Sequence, residues 1–241
     1  MRVSRLFVAA PLSVGQPLVL EADAGHYVGR VLRLRVGDPL TLFNGQGGEY
    51  QARLAELSKK QVALDILTHA ALERESPLAL TLVQGISRNE HMDWVMQKAV
   101  ELGVQRIAPV ITERTQGFQA QQLEKRQIHW EKIIQHACEQ CGRNRLPLLL
   151  EAQPLLAHLA SQTGTGLLLD PLAEQGMPQT APTGFNGHLL IGAEGGLSAA
   201  EIAAAQQAGY LGVRLGTRIL RTETAALAIV TLCQARWGDL G

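Results

Sequence analysis

From residue 76 to the end of the chain, apolar strand-like runs alternate with helical patterns, and this constrains the fold more than any other feature. LALTLVQGI, VQRIAPVIT, PLLLE, TGLLLD, HLLIG and LGVRL read as strands. NEHMDWVMQKAVELG puts Met92, Val95, Met96, Ala99 and Leu102 on one helical stripe, with Gly103 as its stop. Residues 119–141 read as a longer helix, and 222–236 as the last one. Strands this apolar need cover on both faces, so the pattern predicts an α/β domain built on a parallel sheet. Before residue 72 the segments are different. RLFVA, PLVLEA, PLTLFNG, EYQARLAEL and QVALDILTH are short, mostly alternating strands, FNGQGGEY is a turn, and AGHYVGRVLRL looks helical. The expectation is a small barrel over 1–72 and, after the polar stretch ALERESPL, an α/β domain over 73–241.

Lys plus Arg and Asp plus Glu both number 22, so no global field draws in nucleic acid. Local patches remain: Arg30, Arg33 and Arg35 form one run, Lys59 and Lys60 another. These also read as a solvated helix face and a charged turn. Three cysteines, an odd number in a chain this long, do not suggest a disulfide framework. No apolar run is long enough to span a bilayer, and the N-terminal apolar stretch is short and broken by Pro11, so the expected compartment is the cytoplasm. His136, Cys138 and Cys141 sit close enough to suggest a metal. However, Leu123, Trp130, Ile134, Cys138 and Cys141 share one helical stripe, which points to core and to no metal. Trp94, Met92 and Met96 read as core too.

LLIGAEGGLSAAEI, residues 189–202, is a buried strand, a glycine turn and a helix start. Gly195 and Gly196 allow a tight turn and close approach of a ligand. Ser198 and Glu201 have capping-box spacing, so the helix begins at Ser198. The spacing G-x-x-G-G is neither the dinucleotide fingerprint nor a P-loop. Glu194 would repel a phosphate brought onto the loop, so a phosphate-free, positively charged cofactor such as S-adenosylmethionine suits it. A plain strand–helix turn with a surface Glu is the alternative. LGTRILRTETAALAIV, 215–230, is a second loop. It carries Arg218 and Arg221, with Thr222 or Thr224 placed to cap the next helix. Two arginines beside a helix N-terminus suit RNA phosphates, unless they pair with Glu223 or Glu201. The helix itself is apolar nearly all round and must be buried, against the sheet or against a second copy of the chain.

Together the two loops resemble the signature of the RsmE family of SPOUT methyltransferases, the 16S ribosomal RNA (uracil(1498)-N3)-methyltransferases. HYVGRVLRLRVGDPLTLFNGQGGEY, QKAVELGVQRIAPVITERT, EQCGRNRLP and ARWGDLG extend the resemblance over essentially the whole chain. It implies a PUA-like RNA-binding barrel followed by a trefoil-knotted methyltransferase domain, a homodimer, and S-adenosylmethionine held in the knot. The cofactor loops then map to Leu168, Leu169 and Pro171; to Ile191, Gly192, Gly195 and Gly196; and to Leu215, Gly216, Ile219 and Leu220. Two positions depart from the family pattern: Ala193 and Thr217 stand where relatives usually have proline.

Uracil N3 must lose its proton to attack a methyl group, and the base must leave its stack. On this reading Arg221 stabilises the N3 anion or a nearby phosphate, and Glu194, ahead of Glu223, is the candidate base. Arg5, Arg30, Arg33, Lys59, Lys60, Arg88, Arg143 and Arg218 are the candidate RNA contacts within the small ribosomal subunit. Two rivals are a non-catalytic RNA-binding protein on the same fold and a SPOUT enzyme acting on another RNA.

Overall fold

In the computed structural model, which describes residues 3–21, 27–58, 61–115 and 122–241, the chain divides into two compact units. The first comprises Met1–Glu75 with Cys138–Leu146, the second Ser76–Ala137 with Pro147–Gly241.

In the first unit β1 (Ser4–Phe7), β2 (Pro17–Glu21), β3 (Pro39–Phe43), β4 (Glu49–Leu57) and β5 (Gln61–Ala70) form one sheet in the order β1-β3-β4-β5-β2. β1 joins β3 in parallel and the other pairs are antiparallel. The period-two pattern turns Leu40, Leu42, Leu54, Val62, Leu64 and Ile66 onto one buried cluster. The β4–β5 ladder shifts register between Gln51 and Ala52 and between Leu54 and Glu56. Such bulges bend strands and let a sheet this small curl over its core. Of AGHYVGRVLRL, expected to be helical, residues 24–26 lie outside the described residues, and the described part, from Tyr27 on, gives a single π-helical turn, Tyr27–Val31. Arg33 ends any continuation, because its φ of 55° is incompatible with a right-handed helix. Residues 138–146 also join this unit, although a boundary at residue 72 would put them in the other. Glu139 accepts the Phe7 N–H (3.0 Å) and the Tyr27 hydroxyl (2.7 Å). Asn144 accepts from Arg5 at 2.6 Å.

The second unit holds β6 (Thr81–Gly85), α1 (Asn89–Glu101), β7 (Arg106–Ile111), α2 (Leu123–Cys141, whose last turn lies in the first unit), β8 (Leu148–Leu149), β9 (Gln153–Pro154), α3 (Leu155–Ala160), β10 (Thr165–Leu169), β11 (Phe185–Ile191), α4 (Ala199–Gln207), β12 (Tyr210–Val213) and α5 (Thr222–Trp237). The sheet order is β12-β10-β11-β6-β7-β8, with β9 also on β7, and every pairing is parallel. β6 is buried along its whole length, as its uninterrupted TLVQG run requires of a central strand. The α1 stripe buries Met92, Val95, Met96, Ala99 and Val100. Trp94 corrects the sequence reading. It lies on the opposite face of α1 at 57% exposure, with the Lys98 ammonium 5.8 Å from its ring centre. The expected start of α2 at residues 119–121 lies outside the described residues. Its stripe buries Trp130, Ile134 and Cys138. Burial pushes the Cys138 thiol up to about 12, so it stays protonated and unsuited to bind a metal. Among the described residues no three His, Cys, Asp or Glu side chains are grouped to hold a metal ion. The segment after β10 is tied to the end of α5. The Arg236 guanidinium donates to the Met177 and Pro178 carbonyls (2.9 and 2.6 Å), and the Trp237 indole to that of Gln179 (3.1 Å).

Candidate active site

The register Leu168↔Leu190 and Leu169↔Val213 brings the carboxyl ends of β10, β11 and β12 side by side. Open parallel sheets bind ligands at such an edge, where strand order departs from chain order. Three loops leave it, 170–172, 192–197 and 214–221, and enclose a cleft of about 550 Å³. That volume is in the range of small-molecule sites. The walls are mainly apolar and include Leu169, Pro171, Ile191, Leu197, Val213, Leu215 and Leu220. Leu172 and Ile219 stand at 87% and 86% exposure beside them.

Close backbone packing forms the glycine loop. A Cβ on Gly192 would lie 2.8 Å from the Gly196 carbonyl carbon and 3.0 Å from the Leu197 nitrogen. Gly85, at the end of β6, meets the Gly192–Ala193 peptide just as closely, so neither position can carry a side chain without moving the loop. The Gly196 N–H donates to the Ala193 carbonyl at 2.8 Å and closes the turn. Beneath it, the Thr222 hydroxyl donates to the Gly192 carbonyl at 2.6 Å, and the Gln84 amide donates to that hydroxyl at 2.9 Å. Thr222 therefore does not cap α5 as expected. It is the first helical residue, and Arg221, in the cap position, makes no side-chain cap. Thr224 is exposed. The Ser198–Glu201 capping box forms as its spacing predicts. Glu201 also accepts the Glu113 N–H at 2.8 Å.

Glu194 lies at the cleft edge. One carboxylate oxygen accepts the Arg88 N–H at 2.8 Å. Burial works to raise its pKa. The hydrogen bonds from the backbone N–H groups of Arg88 and Glu194 and from the Ser87 side chain, with His91 nearby, outweigh that and hold it below the ordinary carboxylate value. Arg126 of α2 donates to the Ser87 carbonyl at 2.7 Å and so fixes the turn that presents these donors. Among the described residues Glu223 does not pair with an arginine. Its Oε2 lies 3.0 Å from His91 Nδ1, and the same nitrogen is 3.9 Å from Glu194 Oε1. Arg218 and Arg221 both line the cleft, and among the described residues neither makes an ion pair.

Of the expected cofactor contacts, Leu169, Pro171, Ile191, Gly192, Gly195, Gly196, Leu215, Ile219 and Leu220 line the cleft. Leu168 does not. Strand alternation turns it into the core with Val83 and Leu190, and the exposed parity belongs to Leu169. Gly216 is not part of the wall and turns the loop at φ 72°. Among the expected RNA contacts, Arg30, Arg33 and Arg88 are exposed, and Lys59 and Lys60 lie outside the described residues. Arg5 and Arg143 are corrections. The Arg5 side chain is 9% exposed, bonded to Glu49 at 2.7 Å and stacked on Phe43. Arg143 is 4% exposed and donates through Nε to Glu75 at 3.0 Å. The sequence reading missed His91, Arg114 and Gln84. Arg114 donates to the Gly195 carbonyl at 2.9 Å. Their partners lie 80 or more residues away in several cases, and no local motif announces them.

The cleft offers apolar walls, open space above Gly196, the carboxylates of Asp170, Glu194 and Glu223, and the guanidinium groups of Arg114, Arg214, Arg218 and Arg221. A family model described as an RNA methyltransferase domain matches residues 74–234, and one described as an RNA methyltransferase PUA domain matches 20–67. The ribosomal RNA small subunit methyltransferase E of Buchnera aphidicola (subspecies Schizaphis graminum) is 35% identical, over 99% of this chain and 98% of its own. The chain belongs to the ribosomal RNA small subunit methyltransferase E family. The member from Bacillus subtilis is 27% identical over 84% of this chain and 83% of its own. A Neisseria gonorrhoeae member, solved with S-adenosylmethionine bound, is 36% identical and superposes over 100% of both chains with a TM-score of 0.91. A Legionella pneumophila chain solved with the same cofactor is 41% identical, with the same score and coverage.

Proposed function

We propose that this member of the family methylates N3 of one uridine in 16S ribosomal RNA of the small subunit, the position the family numbers 1498, with S-adenosylmethionine as the methyl donor. One observation carries the reading. The cleft at the ends of β10, β11 and β12 is apolar-walled, glycine-floored and edged by both carboxylates and arginines, and it lies in the domain that matches the RNA methyltransferase model. Bound there, the cofactor supplies an electrophilic methyl group on a sulfonium. Leu169–Pro171, Ile191–Gly196 and Leu215–Leu220 hold it and exclude water. Arg221 faces the cleft without a carboxylate partner and is placed to stabilise charge developing on the uracil. Arg218 and Arg88, with Arg30 and Arg33 on the first unit, supply phosphate contacts. RNA affinity should therefore weaken as salt rises.

The fold reading extends to a trefoil knot, supported by the strand order β12-β10-β11 and by the anchoring of the 177–179 segment onto α5. The oligomer reading is a homodimer. Leu227, Ala228 and Leu232 on α5 are only half-buried in a helix that is apolar nearly all round. The cytoplasm is the compartment of the proposed substrate, and no described helix is long and apolar enough to cross a membrane. Titration calorimetry with S-adenosylmethionine tests the site. Saturable binding that is lost in Gly192→Val is expected. No heat of binding to the intact protein would contradict the assignment.

A further inference from the structure

Three acidic or basic side chains in the cleft meet in a way the reaction as proposed does not yet use. His91, in the first turn of α1, lines the cleft opposite the glycine loop. Its Nδ1 is 3.0 Å from Glu223 Oε2, on the first turn of α5, and 3.9 Å from Glu194 Oε1. His91 Nδ1 and Glu223 Oε2 are sealed from solvent, and neither meets hydrogen-bond geometry with any described group, so their 3.0 Å separation is a close approach of the two groups and not an aligned hydrogen bond. The imidazole side chain as a whole keeps 28% of its surface. That exposure belongs to the side-chain atoms other than Nδ1. Glu194 accepts the Arg88 N–H, whereas among the described residues the one charged group close to Glu223 is the His91 imidazole.

We propose that His91 is the catalytic residue that accepts the N3 proton of the target uridine, with Glu223 as its positioning residue. This rests on the reading of the cleft as a uridine N3-methyltransferase site. A carboxylate facing one ring nitrogen sets the tautomer. Nδ1 carries the hydrogen toward Glu223, and Nε2 is left with a lone pair. As the methyl leaves the sulfonium, the N3–H electron pair forms the new N3–methyl bond and the proton passes to Nε2. The sulfonium's C–S bond breaks with its electrons returning to sulfur, giving a neutral thioether. The imidazolium formed lies between Glu223 and Glu194, which stabilise its charge, and it returns the proton to water after product leaves. Glu194, held below the ordinary carboxylate value by its backbone donors, serves better as this fixed negative charge than as the base itself.

The test uses the full-length protein, small subunits lacking the modification and labelled S-adenosylmethionine. His91→Ala should lower kcat by about 100-fold or more. Its cofactor affinity by calorimetry should stay within about threefold, because no uniform binding contact is lost. Added imidazole should restore a measurable part of the lost kcat, which a purely structural role would not allow. Glu223→Gln should lose less, about tenfold, because the base remains but its tautomer is no longer fixed. If His91→Ala melts early, His91→Gln, which keeps polarity without basicity, should show the same loss of kcat at intact cofactor affinity. Near wild-type kcat in either folded variant, or a loss in His91→Ala that imidazole leaves unchanged, would overturn the assignment. Wild-type protein that binds cofactor but transfers no methyl would overturn the uridine reading itself, and the role of His91 with it.

Discussion

The two units hold their arginines in opposite ways. In the first, Arg5 and Arg143 are almost sealed, each bonded to a carboxylate, Glu49 or Glu75. In the second, Arg218 and Arg221 open onto the cleft, and no carboxylate pairs with either among the described residues. Residue type alone makes all four look like RNA contacts. Burial separates them. A guanidinium taken out of water must be paired, and once paired it is structural. A guanidinium kept in a cleft without a partner is available to an anion that arrives later.

The largest expected effects break the first half of this contrast. Arg5→Ala leaves buried Glu49 with Arg74, at 3.1 Å, as its remaining partner and loses two further hydrogen bonds, to Asn144 and the Arg143 carbonyl. Because Glu49 keeps one charge partner, the loss is that of a hydrogen bond to a charged group, about 1.5–3 kcal/mol. Denaturant unfolding should show a loss of that order, and Arg143→Ala a similar one, with cofactor binding by the folded fraction unchanged. The second half of the contrast breaks at Arg221. Arg221→Ala should leave stability within about 0.5 kcal/mol, as for an exposed residue. Methyl transfer should fall by about 100-fold, the scale of a lost charge-stabilising donor. If the two mutants exchanged phenotypes, the contrast would be wrong.

A third prediction carries the same logic to a half-buried histidine in the second unit. Burial first, then His158 and Arg106, lowers the His188 pKa from 6.5 to about 4. Between those values the unfolded chain takes up the proton more readily than the folded one, so stability falls as pH drops from about 6.5 toward 4 and levels off below. His188→Asn should flatten the melting-temperature profile across that window, whereas Arg218→Ala should not. The smallest effect concerns Ala193. Proline there would stiffen a loop that is already closed by the Gly196–Ala193 hydrogen bond. Such a replacement is worth about 0.4–1 kcal/mol where the backbone allows it. Cofactor affinity of Ala193→Pro should therefore rise by no more than about fivefold, read by calorimetry.

The strands and helices of the second unit were legible because their pattern is local. LALTLVQGI is mainly apolar and becomes a central strand, and the α1 stripe repeats at helical spacing. The glycine loop was legible for the same reason. Ser198 and Glu201 are three residues apart, and the glycines of the turn directly precede them. What escaped depended on distant partners or on parity. Leu168 and Leu169 are chemically identical, and only strand alternation sends one to the core and the other to the cleft. Arg5 finds Glu49 and Asn144 across 44 and 139 residues. His91 meets Glu223 only because α1 and α5 pack together. The helical reading of AGHYVGRVLRL failed because Arg33 adopts a left-handed backbone, which residue composition does not reveal.

The most direct measurement is to incubate the protein with labelled S-adenosylmethionine and small ribosomal subunits lacking the modification, then digest the 16S RNA and map the methylated nucleoside by mass spectrometry. The account predicts label on one uridine, as N3-methyluridine, at the family's position. Label on another nucleoside or on ribose, or no label from a protein that binds the cofactor, would contradict it.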